Sequence, residues 1–159
     1  MHRTALRVIA ALALATLPVA APAQELVDGS NVETILEIAK AHGEATLESQ
    51  SDGDPRISGR INGLGYQLFF MNCTGGKDCE DLNFYAGFAE LKPTVDAIND
   101  WNRNKRFGNA YLDSDLDAVI EFDVNLEFGV TRDNLDAAFG LWELLLQQYA
   151  EHIGYRPGT

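Results

Sequence analysis

The residues of this chain best suited to chemistry are crowded into "INDWNRNKRFGNAY", positions 98–111. Arg103, Lys105 and Arg106 stand there between Trp101 and Phe107, with Asn99, Asn102 and Asn104 interleaved. A guanidinium pairs bidentately with carboxylates, and arginine beside aromatics is the composition of interaction hot spots. The implied chemistry is capture of an acidic partner. Its candidate binding residues are Trp101, Asn102, Arg103, Lys105 and Arg106, with Arg106 foremost. A structural reading competes. Val95, Ile98 and Trp101 recur at helical spacing, asparagines satisfy backbone groups at helix ends, and cations in a last turn oppose the helix dipole. On that account the stretch is only the joint between a helix and a strand.

Other constellations fail on spacing. His42 and His152 lie in no motif with a nucleophile or an acid, and no G-x-S-x-G occurs, which argues against a His-dependent hydrolase. Asp113, Asp115 and Asp117 alternate as in a calcium loop. An EF-hand needs Gly and Glu at its sixth and twelfth positions, where this chain has Ala118 and Val124. A solvated acidic turn is the better reading. "NGLG" at 62–65 lacks the strand-to-helix context of a phosphate cradle. The expectation is a non-enzyme with no catalytic residues, no metal and no cofactor.

Charge narrows the partners. The chain carries 12 Lys+Arg against 24 Asp+Glu. Its opening, MHRTALR followed by VIAALALATLPVA and then Ala21-Pro22-Ala23, has the positive, apolar and small-residue parts of a secretory signal peptide. The apolar part is shorter than the ~20 residues of a membrane span, and Pro18 interrupts it. Cleavage after residue 23 would remove Arg3 and Arg7, leaving ten cations against 24 acids, a net charge of −14. Such a charge repels nucleic acid and anionic membranes. The expected protein is therefore periplasmic, soluble and without membrane insertion after cleavage. Cys73 and Cys79, both in the exported part, fit a structural disulfide across a hairpin mouth, with Gly75 and Gly76 as turn formers.

The elements that must position these residues follow from periodicity. "GSNVETILEIAKAHG" predicts a first helix, with Ser30 and Glu33 as a capping box and a stripe of Val32, Ile35, Leu36 and Ala39. Four short strand-like runs over 45–89 are separated by "SDGDP", "NGLG" and "TGGKD". Pro93 and Thr94 open a second helix, and "FGNAYLD" then reads as a strand. "AVIEFDVNLEF" is the clearest strand: Ile120, Phe122, Val124, Leu126 and Phe128 on a buried face, Glu121 and Asp123 on a wet one. Gly129 and Thr131 precede a last helix, striped by Leu135, Ala138, Phe139, Trp142, Leu145, Leu146, Tyr149 and Ile153. The order predicts one α+β domain over 24–153 and a flexible tail at 154–159.

"DGDPRISGRINGLGYQLFFMNC", "INDWNRNKRFGNAYLD" and "FDVNLEFGVTRDNL" together resemble the successive motifs of the YbjN family of bacterial sensory transduction regulators, over roughly residues 30–153. The resemblance implies a fold like that of type III secretion chaperones, a twisted antiparallel sheet with helices packed on one face. It carries no established catalytic residues. The function expected is non-catalytic: an exported protein acting by contact with an unidentified protein partner, in a regulatory or chaperone-like role. The alternative is a small-ligand module with a pocket between sheet and helices. A homodimer would form through a sheet edge or the last helix.

Overall fold

The computed structural model describes residues 25–89 and 91–156. The expected leader and residues 157–159 lie outside them. Strand β1 (Leu26–Val27) leads into helix α1 (Val32–His42). Strands β2 (Glu44–Ser49), β3 (Pro55–Ile61), β4 (Leu64–Met71) and β5 (Asp81–Phe88) follow as a meander. Helix α2 (Val95–Asn104), β6 (Asn109–Leu112), β7 (Ala118–Asn125), β8 (Val130–Thr131) and α3 (Arg132–His152) complete the order. The main sheet has six antiparallel strands in the order β2-β3-β4-β5-β7-β6, and β1 pairs with β8. The expected α+β class, helices on an antiparallel sheet, is what the chain adopts.

Register explains the two faces. One row runs Leu47, Ile57, Leu68, Phe84, Phe122 across five strands. Ile57, Leu68 and Phe84 in it are fully buried. α3 lies on this side: Phe84 meets Phe139 at 4.9 Å and Trp142 at 5.5 Å, and Phe88 meets Tyr149 at 5.7 Å. The next row, Thr46, Ser58, Gln67, Tyr85, Glu121, faces the other way and carries no helix. Period-two alternation thus produces one apolar face for the helices and one polar open face.

Local signals at helix starts fared unequally. Thr94 and Thr131 cap α2 and α3, their hydroxyls accepting from the N–H of Ala97 and Asn134. The expected box of Ser30 and Glu33 does not form. Asn31 takes the cap position without a side-chain cap bond, and the Ser30 hydroxyl donates to Asp28 instead, at 2.6 Å. The helix opens one residue later than the box requires, which leaves Ser30 outside the position from which a side chain accepts from the first free N–H groups. Val95 is 62 % exposed, so only Ile98 and Trp101 of its stripe are buried.

Phe128 also departs from expectation. The ladder of β7 ends at Asn125, Leu126 is still buried, and Phe128 and Gly129 then turn with φ of 67° and 79°. The turn swings Phe128 outward to 88 % exposure. Cys73 and Cys79 form the expected disulfide, and Gly75 and Gly76 adopt positive φ within its loop. β1 and β8, two residues each, were too short for a periodic signal.

Candidate functional site

The 98–111 segment splits into an inward half and an outward half. Trp101 is fully buried; its indole N–H donates to the Gly108 carbonyl at 3.2 Å, and its ring packs on Tyr149 at 5.0 Å. It is a core residue that anchors the α2–β6 connection, not a contact surface. Asn102 closes a two-bond clamp on β6, donating to the Ala110 carbonyl and accepting from the Ala110 N–H, both at 2.9 Å. The asparagine signal was real, but its target is a strand instead of the helix end. Gly108, at φ 75°, makes the turn that brings β6 back under the clamp.

The cations all face solvent. Arg103 sits 3.8 Å from Asp100, an exposed pair of small energetic weight. Lys105 donates to Gln148 at 2.8 Å and lies 5.5 Å from the Trp101 ring centroid, so α3 holds it in place. Arg106 lies 5.6 Å from the ring of Phe107 and has no ion pair or hydrogen bond among the described residues. Phe107 is itself 46 % exposed. The structure therefore brings Arg103, Lys105 and Arg106 together as an exposed basic island beside an aromatic edge, and assigns Trp101 and Asn102 to holding it up.

The remaining titratable groups are structural in placement. His42 Nε2 lies 3.0 Å from Asp136 Oδ1 and its Nδ1 lies 3.8 Å from Glu143, while its ring stacks on Phe139 at 5.6 Å. This contact ties α1 to α3 across 94 positions of sequence, which no local motif could announce. His152 donates to the Ala97 carbonyl at 2.8 Å, joining α3 to α2. Asp113 turns its Oδ1 onto the N–H groups of Asp115 and Asp117, both at 2.9 Å, so the acidic loop is an Asx-type turn. Burial raises the Tyr66 phenol to about 12, and raises Tyr149 further. Burial together with a hydrogen bond to Glu121 raises Tyr111.

The YbjN family model, described as "putative bacterial sensory transduction regulator", matches residues 31–154, from the cap of α1 to the end of α3. The chain belongs to the YbjN family. No curated protein is significantly similar to it. The family description is that of a regulator and not of an enzyme family. The matched span includes the Asn102 clamp and the basic island. Among the described residues no helix is long and apolar enough to cross a membrane.

Proposed function

We propose that this YbjN protein is exported to the periplasm and acts there without catalysis, as a regulatory or chaperone-like protein that binds an acidic protein partner through Arg103, Lys105 and Arg106. One observation carries the reading: Arg106 is exposed beside a half-exposed Phe107 and pairs with no carboxylate of its own chain among the described residues, although the chain has twice as many acids as bases. A guanidinium left unpaired in so acidic a protein retains its full capacity for a partner's carboxylate. The residues behind it are fixed, by the Asn102 clamp and the buried Trp101, so binding would cost little ordering of the backbone. The regulator description of the family supports the role, and the signal-like opening with the disulfide supports the compartment.

The test is crosslinking in the native periplasm, with captured proteins identified by mass spectrometry, beside an Arg106→Ala variant. That side chain makes no internal ion pair, so the variant should match the parent in stability. A defined partner captured by the parent and lost in the variant supports the reading. A partner retained in the variant returns Arg106 to a passive surface position.

A further inference from the structure

The two edges of the six-stranded sheet are finished differently. β6 has four residues, and Asn102 of α2 bonds both the N–H and the carbonyl of Ala110 on its outer side. β2, at the opposite edge, has six residues in unbroken register with β3, from Glu44↔Arg60 to Ser49↔Pro55. It carries none of the proline, lysine or bulge that blunts natural edges. The sheet also parts internally. Beyond Gln67↔Tyr85 the β4–β5 ladder stops, and a cavity of about 830 Å³ lies over the gap. No helical residue lines it, so it is not in the place expected between sheet and helices. That gap is flanked by strands of the same chain, whereas β2 has a strand on one side only.

Hairpin geometry fixes which backbone groups of β2 face outward. The Gln50 N–H donates to the Asp54 carbonyl at 2.8 Å, so this pair closes the β2–β3 hairpin as a hydrogen-bonded one. Alternation then directs the N–H and C=O groups of Glu48, Thr46 and Glu44 toward β3, and those of Ser49, Leu47 and Ala45 away from the sheet. Pro55, which has no N–H, falls opposite Ser49, as the alternation requires. Among the described residues no other backbone segment bonds these outward groups.

We infer that β2 pairs antiparallel with β2 of a second copy, about a two-fold axis at Leu47, joining two sheets edge to edge. In this register Leu47 meets Leu47 and Ala45 meets Ser49, so every outward N–H and C=O finds a partner. The two Leu47 side chains, half-buried on the core, extend the apolar row of Ile57, Leu68 and Phe84 across the junction. On the open face Glu48 stands opposite Thr46, and Glu44 opposite Gln50, so no like charges oppose. Neighbouring registers fail on charge. Pairing Ala45 with Leu47 sets Glu44 against Glu48, and pairing Leu47 with Ser49 sets Glu48 against itself. Glu48 also accepts from Arg56 of its own chain, which offsets its charge at the junction. The expected homodimer thereby acquires a specific edge and register. The basic island lies beside β6, at the other edge, and stays free on both copies.

The test is sedimentation velocity of the export-processed protein over a concentration series, at physiological salt to screen the net charge of two acidic chains. Hydrogen exchange is read alongside. A reversible dimer is expected, with the Ala45, Leu47 and Ser49 amides slowing as it forms and the Ala110 amide unchanged. Thr46 is exposed and would face Glu48 of the second copy. Thr46→Lys should tighten the dimer and Thr46→Glu loosen it, each roughly tenfold because the change acts at both symmetric positions. Gln147→Lys, an equal charge change on an exposed position of α3, should shift the constant far less. A monomer at every concentration overturns the proposal. So does a dimer indifferent to both Thr46 changes, which would place the contact on another surface. Pairing of β2 with a strand-forming peptide while the chain alone stays monomeric would also overturn it.

Discussion

The carboxamide of Asn102 stands where a neighbouring strand would stand for Ala110, giving one hydrogen bond and receiving one, both at 2.9 Å. Ala110 lies in β6, the edge strand of the sheet, and is 5 % exposed. A helix side chain thereby closes the exposed strand edge that would otherwise invite pairing with another chain. Replacing Asn102 by Ala leaves a buried N–H and carbonyl without their partner and should cost about 1–3 kcal/mol. Denaturant midpoints measure the cost, and faster hydrogen exchange at the Ala110 amide would localise it. A midpoint equal to the parent's would show that β6 needs no clamp.

Trp142 is fully buried, with Phe84 at 5.5 Å and Tyr66 at 6.3 Å. Trp142→Ala should destabilise by about 3–5 kcal/mol, the usual cost of truncating a large core aromatic. Chemical denaturation reads this directly. A loss below about 1 kcal/mol would mean that α3 is not docked through this ring.

The Cys73–Cys79 bridge closes a loop over six positions of sequence. Chain entropy gives so short a loop about 2 kcal/mol of stabilisation. Reduction, or a double Cys→Ser change, should lower the denaturation midpoint by that amount while far-UV circular dichroism stays native. Free thiols in the denatured, unreduced protein would contradict the bridge itself.

Phe128 combines 88 % exposure with φ of 67°, a conformation that costs a bulky side chain roughly 1–2 kcal/mol. Phe128→Gly should therefore stabilise, by up to about 1 kcal/mol once the added freedom of the unfolded glycine is counted. A destabilised variant would reveal packing of this ring that its exposure hides.

Stability should fall in alkali. The unfolded tyrosine pKa is about 10, whereas Tyr66 holds its proton to about 12 and Tyr149 and Tyr111 are also raised. Above pH 10 the unfolded state thus binds fewer protons than the native state. The stabilisation is full below that pH and is lost as pH rises, by up to about 1.4 kcal/mol per unit for each of the buried rings Tyr66 and Tyr149 and by less for Tyr111, which solvent screens. Tyr66→Phe should shallow the slope. It should cost little at neutral pH, because the Tyr66 hydroxyl has no hydrogen-bond partner among the described residues. An unchanged slope would assign the effect to the other two rings.

Much of the sheet was legible because alternation over β3, β4, β5 and β7 leaves an imprint of period two, and α3 leaves its stripe over five turns. Thr94 and Thr131 were legible as helix starts, and the cap bond each makes lies within three residues. Ser30 misled because the helix opens at Asn31, one residue later, and leaves Ser30 outside the cap position. Phe128 misled because the alternation in "NLEF" continues past the last ladder pair, and only a turn in space takes it off the buried face.

The sequence by itself determined the α+β class, the cysteine pairing and the family, since these rest on local composition, spacing and motif, and it marked 98–111 as a binding stretch or a helix–strand joint without choosing between them. Tertiary structure alone decided how that segment divides its duties. Trp101 turns inward and Asn102 reaches back to bond Ala110 because Gly108 and Ala110 return beside them, and Arg103, Lys105 and Arg106 are left free of the strand. It also decided where the sheet opens. Strand order β4-β5-β7-β6 and the missing pairs beyond Gln67↔Tyr85 are relations between distant segments, which hydrogen bonding across the fold selects and no local pattern encodes.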